Sequence, residues 1–316
     1  MSKEGMDIFL ELNFKEIKIE DKDLITGLIG QNSSGSLEDI SCEKQFATIF
    51  SWRFAHPVQF AECGEGVVFG YKWQDRCLFM IKQPDMQAFD NCIRTLMDNC
   101  DKDYITVINL TESKSKFLSD KYGVECTFDI NYSDYIYDAD SFRTYSGKKL
   151  HNKKNKLNKF LALYGDNYEI KPITNAVIDD CFYLLDEWKN DNGELEKYKR
   201  REIVAAEQLL VHYGQLQLYG CCLYVGGKPI GFTIGEPLFE NTENSTLVVH
   251  CEKASYDYEG VYPALAHFFA LQYPQFKYIN REDDVGDDGL RQSKRSFSPL
   301  LQLHKYSTIL NRNKIF

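Results

Sequence analysis

The same punctuation occurs twice in this chain, and it leaves few folds open. In the first half, Pro57–Cys63, Gly66–Trp73 and Arg76–Ile81 are short runs rich in β-branched and aromatic residues, parted by the turn signals Gly64-Glu65-Gly66 and Gln74-Asp75. In the second half, Gln215–Val225, Pro229–Pro237 and Ser245–Cys251 repeat the pattern, with Gly226-Gly227 as a hairpin turn. Runs of this length with turns this tight pair as antiparallel meanders. Each meander leads into alternating helix and strand. After the first come a helix over Met86–Met97, a strand over Tyr104–Leu110, a helix over Thr111–Tyr122 and a strand over Val124–Ile130. After the second come a helix over Gly260–Gln272, a strand over Phe276–Asn280, a helix opening at Asp287 and Asp288, and a last strand near His304–Leu310. Helices are also expected over Asp21–Ile29, Ala176–Lys189 and Lys197–Tyr213, and a strand over Tyr168–Ile173. Ser36 and Asp39 read as the cap of a helix carrying Ile40, Phe46, Ile49 and Phe50. The expectation is α+β: two copies of one plan, each a mixed, mostly antiparallel sheet flanked by helices. At 316 residues the chain has room for two domains. The boundaries are set at 1–134 and 135–316, with Asn131–Ser141 as the connection.

Composition closes off several functions. A net charge of −10 argues against a protein that coats nucleic acid over its whole surface, yet leaves a local basic patch open. The ten cysteines form no CxxC pair, follow no secretory leader and lie mostly within apolar runs. They read as reduced core residues of a cytoplasmic protein, not as zinc ligands. No apolar run approaches the ~20 residues that cross a bilayer. GxxxxGK[ST], GxGxxG after a strand, HExxH and GxSxG are all missing, so nucleotide hydrolysis, Rossmann cofactors, zincin proteolysis and serine hydrolysis have no support. The histidines show no ligand spacing, and His250, on an apolar strand, reads as a hydrogen-bonded core residue.

Two stretches stand out. In Tyr278–Tyr306, a short strand ends in Asn280, Arg281, Glu282, Asp283 and Asp284, turns at Gly286 and enters a helix. Asp287 and Asp288 suit the positive end of that helix. Arg291, Lys294 and Arg295 share one side of it and offer a wall for an anion, or simply a solvated face. Consecutive carboxylates at such a turn point in different directions, so no metal site is expected. The second stretch, Arg143–Lys159, holds seven cations (Arg143, Lys148, Lys149, Lys153, Lys154, Lys156, Lys159) and no acid. Wound as a helix beyond Gly147, it carries an apolar stripe of Leu150, Leu157, Leu161 and Tyr164 beside a cationic flank. Lacking compensating glutamates, that flank suits RNA phosphates or an anionic lipid surface.

The segments YIYDADSFRTYSGKKLHNKKNKLNKF, GFTIGEPL followed by HCEKA, and YINREDDVGDDGLRQSKRSFSPLLQLHKY resemble the C-terminal domain of phosphatidylglycerol lysyltransferases and its free-standing relatives. The resemblance is strong over the second half and weak over the first. It implies tandem GNAT-like domains, similar to the Fem-type transferases that use aminoacyl-tRNA. The lysyltransferases carry a membrane-embedded region ahead of this domain that is not read here, which argues against lipid as acceptor; the expected location is cytoplasmic, with a peripheral place on the inner membrane face left open. In GNAT-like domains a helix N-terminus cradles the pyrophosphate of coenzyme A. Gly260 fits that place, but Asp257 and Glu259 would repel a diphosphate, so aminoacyl-tRNA is preferred to acyl-CoA as donor. The expected acceptor is a lipid or a small molecule bearing an amine or hydroxyl. If the reaction is aminoacyl transfer, a carboxylate is needed to hold the ammonium of the transferred group or act as base. Glu252, Asp283 and Glu236 are the candidates. Arg281, Arg291, Lys294, Lys305, Lys149 and Lys153 are the candidates for the donor's phosphates. The open alternatives are a coenzyme A-dependent N-acyltransferase and a non-catalytic RNA-binding or regulatory module.

Overall fold

The computed structural model describes residues 12–30, 36–73, 76–191 and 197–316. The Gln74-Asp75 turn lies outside them. Their strands, in chain order, are β1 (Lys15–Glu16), β2 (Val58–Cys63), β3 (Gly66–Trp73), β4 (Arg76–Lys82), β5 (Tyr104–Leu110), β6 (Thr127–Phe128), β7 (Asp134–Asp138), β8 (Tyr168–Pro172), β9 (Tyr219–Val225), β10 (Lys228–Leu238), β11 (Thr246–Ala254), β12 (Tyr278–Asn280), β13 (Leu301–Leu303) and β14 (Tyr306–Asn311). They form two seven-stranded sheets, ordered β1-β2-β3-β4-β5-β14-β6 and β13-β7-β12-β11-β10-β9-β8. Both meanders are present. Each sheet then holds one parallel pair, β4 with β5 and β11 with β12, before returning to antiparallel pairing.

A parallel neighbour needs a crossover, and one helix supplies it in each unit. In the first, the helix Met86–Asn99 buries Phe89, Cys92, Ile93, Leu96 and Met97 at helical spacing, and its N-terminus is capped by Asp85, whose carboxylate accepts from Ala88 N at 2.8 Å. In the second, the helix Val261–Gln272 is apolar nearly all round because it is covered on more than one side. Val261, Leu265, Phe268 and Phe269 share a core with Leu223 and Leu247 of the sheet and with Phe142, Leu157 and Phe160 of the helices Ala139–Thr144 and His151–Tyr164. Of the expected apolar stripe on the basic helix, Leu150 and Leu157 are buried, whereas Leu161 and Tyr164 are only half-buried; Phe160 is the residue fully enclosed.

The strand exchange is where the fold departs from expectation. The first unit comprises the described residues up to Asp39, Glu43–Ser133 and His304–Phe316; the second comprises Ile40–Cys42 and Asp134–Leu303. The final strand therefore belongs to the first sheet, where it pairs with β5, and not to a domain running from 135 to the end. Conversely, Asn131–Ser141 is no mere connection. It contains β7, which lies between β12 and β13 in the second sheet with Tyr135, Ile136 and Tyr137 fully buried. A strand enclosed on both faces lacks the alternation that marks a strand in sequence. Its first residue, Asp134, is also buried and accepts from Asn280 Nδ2 at 2.9 Å and Cys42 N at 2.8 Å. The run Val124–Ile130 shrinks to the two residues of β6 followed by a turn, and the start of Gln215–Val225 is a helical turn closed by Gln217 at φ 59°. The segment after Ser36 is a pair of short helical turns before the helix Phe46–Trp52.

One irregularity prepares the site. β10 and β11 match Ile234 with Cys251 and then Gly235 with Val249, so His250 is an extra residue in β11. A Cβ on Gly235 would stand 2.3 Å from Val248 O, so only glycine lets the strands close at the bulge. Gly235→Ala is expected to destabilise the protein by about 2 kcal/mol or more in urea titration, as overpacking does. A loss near zero would show that the bulge relaxes without cost.

Candidate functional site

β11 and β12 stay in register only from Thr246 opposite Tyr278 to Val248 opposite Asn280. β12 ends there, while β11 continues to Ala254. The residues just past this parting point carry the charge. His250 lies between two carboxylates, its Nδ1 2.8 Å from Glu282 Oε1 and its Nε2 3.0 Å from Glu236 Oε1, with its side chain 3% exposed. Burial alone would push the imidazole down, but the two carboxylates outweigh it and hold His250 up at about 10. Both ring nitrogens then donate, and the residue is a cation at neutral pH. Glu282 takes a left-handed backbone (φ 56°), while its N–H donates to Asn280 Oδ1 at 2.7 Å and its carbonyl accepts from Tyr135 N at 3.0 Å. A non-glycine residue in that region carries strain of about 1 kcal/mol or more, kept here by the bonds around it.

Beside this group, Arg281 Nη2 donates to Glu252 Oε1 at 2.9 Å, with both side chains about nine-tenths buried (11% and 9% exposed). Its Nη1 is buried and has no hydrogen-bond partner among the described residues. The guanidinium stands over the ring of Phe297, 4.8 Å from the centroid, and Phe297 stacks on Phe142 at 5.0 Å. Lys153 approaches the same ring, its ammonium 3.6 Å from the centroid. Burial, and then the charge of Arg281, push Lys153 down to about 8. Glu252 and Arg281 meet directly, and Arg281 and Lys153 meet over Phe297, leaving two donors unused among the described residues.

The other candidates have internal partners. Arg291 grips Asp284 with two bonds, Nε to Oδ2 at 2.9 Å and Nη2 to Oδ1 at 2.8 Å, and Tyr135 donates to the same carboxylate at 2.7 Å. Burial would raise that carboxyl, but these bonds and the Gly286 N–H keep it below its ordinary value. Lys294 is buried and donates to the carbonyls of Arg281 (2.6 Å) and Asp283, fixing the strand end. Asp283 itself is half-buried there. Asp287 caps the helix Asp288–Arg295, accepting from Leu290 N at 2.7 Å. The cationic helix side is thus largely engaged internally; Arg295 is exposed and, with Asp288, Arg291, Gln292 and Ser296, lines an open depression of about 600 Å³. Gly260 has a packing reason for being glycine, since a Cβ there would stand 2.3 Å from Lys156 O. Arg143 is no part of the exposed flank: it donates to the carbonyls of Ala270 (3.2 Å), Tyr273 (3.2 Å) and Phe276 (2.5 Å). Lys148, Lys149, Lys154 and Lys156 are exposed, and Lys159 pairs with Glu259 at 2.6 Å. Lys305 belongs to the first unit, its side chain buried against Glu43 at 2.6 Å.

The residues missed in sequence are Glu282, Asp284 and Phe297, and the charged character of His250. The Asn-Arg-Glu-Asp-Asp run signalled a strand end rich in charge, but nothing local says which acid meets His250 and which meets Arg291. Because His250 titrates higher folded than its ordinary 6.5, its contribution to stability is fully present below pH 6.5 and is lost as pH rises to about 10. His250→Gln, which leaves two buried carboxylates facing each other, should cost about 3 kcal/mol at low pH. The gap to the parent protein in urea titrations should narrow toward pH 10; a gap independent of pH would contradict the charged network.

Comparison with known proteins addresses the family and the fold. The family model described as phosphatidylglycerol lysyltransferase, C-terminal, matches residues 35–309. A conserved protein of unknown function from Bacteroides thetaiotaomicron VPI-5482 is 31% identical, with a TM-score of 0.84 over 95% of this chain and 100% of that one. The C-terminal domain of a putative lysylphosphatidylglycerol synthetase from Agrobacterium fabrum shares the fold at 12% identity (TM-score 0.62, 94% of each chain). FemX does so at 9% (TM-score 0.59, 95% of this chain and 98% of that). An uncharacterized protein of Mycoplasmoides gallisepticum is 28% identical over 216 residues, a match spanning 66% of this chain and 66% of that relative. No helix among the described residues is long and apolar enough to cross a membrane. With its two matched sheets, its parted strand pair and a family match over most of its length, this chain belongs to the phosphatidylglycerol lysyltransferase C-terminal family.

Proposed function

We propose that the chain is an aminoacyl or acyl transferase whose reaction centre lies where β11 and β12 part, and that its donor is an aminoacyl-tRNA. The observation that carries this reading is a pair of unused donors: among the described residues Arg281 Nη1 and the Lys153 ammonium both lack an acceptor, and both cations stand over Phe297. They suit a phosphate of the donor's terminal nucleotide, for which a guanidinium and an ammonium are apt partners. Glu252, already oriented by Arg281, takes the ammonium of the aminoacyl group or the proton of the attacking amine or hydroxyl. Glu236 and Glu282 hold the His250 imidazolium as a fixed positive charge behind the centre. Asp283 remains a second candidate for the base, and Arg291 and Lys294 set the shape of the strand end.

Gly260 favours tRNA over coenzyme A, because the helix N-terminus that would receive a pyrophosphate is packed against the Lys156 carbonyl. The exposed Lys148, Lys149, Lys154 and Lys156 supply a track for an RNA backbone. An anionic membrane surface is the competing occupant of that track, and vesicles of anionic lipid serve as the control.

Two measurements test this reading. Transfer of a labelled amino acid from charged tRNA to a small amine acceptor should fall by about 10- to 100-fold in kcat/KM for Lys153→Met, the worth of a charge-assisted hydrogen bond. Turnover with acetyl-CoA, and none with charged tRNA, would overturn the donor assignment. Binding of tRNA should weaken with salt, and the double variant Lys149→Glu, Lys154→Glu should lower the log–log slope by about 2. Salt-independent binding would remove the lysine track from the proposal.

A further inference from the structure

The first unit's sheet also parts at its parallel pair, although here both strands continue past the last paired residues, β5 to Leu110. β4 and β5 are in register from Leu78 opposite Thr106 to Met80 opposite Ile108, and β4 then runs on to Lys82. What stands past the parting point is different in kind. In the second unit it is a histidine already enclosed by two carboxylates; here it is Lys82, 4% exposed, whose ammonium has no hydrogen-bond or ion-pair partner among the described residues. Lys114, in the first turn of the helix Glu112–Tyr122, is half-buried over the ring of Phe89 at 4.9 Å, and its ammonium likewise has no acceptor.

The surrounding carboxylates are already engaged. Asp39 holds Lys44 at 3.1 Å, Glu43 Oε1 holds Lys305 at 2.6 Å, and Glu38 Oε2 accepts from Ser113 N at 3.0 Å. Two ammonium groups are thus left over in a place withdrawn from water. Burial, and then repulsion from Lys44, push Lys82 down to about 7 and Lys114 down to about 8. An uncompensated buried lysine is costly to folding, and a ligand that supplies two negative charges removes that cost.

We propose that Lys82 and Lys114 form an anion site in the first unit, at the parting of β4 and β5, that takes the dianionic phosphoryl group of a phosphate or phosphomonoester. It lies in a different sheet from the proposed reaction centre and does not rest on the transferase reading. The ligand's phosphoryl oxygens accept from both ammonium groups. No covalent step is involved.

Isothermal titration of the full chain with inorganic phosphate and with glycerol 3-phosphate tests it. Both should bind the parent protein, and affinity should fall about tenfold or more in Lys82→Met and in Lys114→Met, the loss expected for one charge-assisted bond. Lys116→Met, an exposed lysine on the same helix, should bind as the parent does. Tighter binding of glycerol 3-phosphate than of phosphate assigns the site to an esterified ligand, and equal binding to the free ion. No heat with either probe, or unchanged affinity in both variants, overturns the proposal. If Lys82→Met does not fold, the Lys114→Met result decides.

Discussion

A parallel strand pair whose partners stop at different lengths is the constraint on which the rest of this structure depends. Once β12 ends at Asn280 while β11 runs on to Ala254, the strands lose each other's hydrogen bonds inside a buried sheet. Buried polar groups without partners are costly, so the gap has to be closed by side chains that bring their own. Lys294 reaches across to the carbonyls of Arg281 and Asp283, and Asn280 bonds the backbone of Glu282. The charged residues at the parting point are therefore a structural consequence of the topology before they are anything else, and chemistry is built on what they leave unused.

That view separates the two units. In the second, three cations meet carboxylates, His250 with Glu236 and Glu282, Arg281 with Glu252 and Arg291 with Asp284, while Lys294 is held by carbonyls. Such pairs add little net stability over an apolar core, but removing one partner is severe, so the arrangement fixes geometry more than it adds free energy. A preorganised set of charges is what a group-transfer centre needs, because polar groups already in place do not have to reorganise as charge develops. In the first unit the equivalent place holds lysines without counter-ions. The two sheets share a plan yet present opposite demands to a ligand.

How much of this was legible depends on whether the signal is local. The meanders are written in short apolar, β-branched and aromatic runs parted by tight turns, and β5 is found with its sequence-derived bounds, Tyr104–Leu110. The helix opening at Asp287 is legible too, because a capping carboxylate acts within one turn. β7 is hidden, since a strand buried on both faces carries no alternation and its flanking acids, Asp134 and Asp138, suggest a loop. The contrast between Lys149 and Lys153 is likewise invisible in composition. Both lie in one lysine-rich run, but one is solvated and the other meets Phe297, more than a hundred residues away in sequence.

Sequence by itself determined the class of fold, the doubled plan, the family and the stretches where charge gathers, because propensity, periodicity and capping act between near neighbours along the chain. Only the tertiary structure decided which charge faces which: that Glu282 and not Asp283 meets His250, that Arg291 and Lys294 are tied to internal partners while Arg281 keeps a free nitrogen, and that the last strand joins the first sheet. Pairing between distant residues follows from how strands register and part in space, and nothing in the local order of residues encodes that.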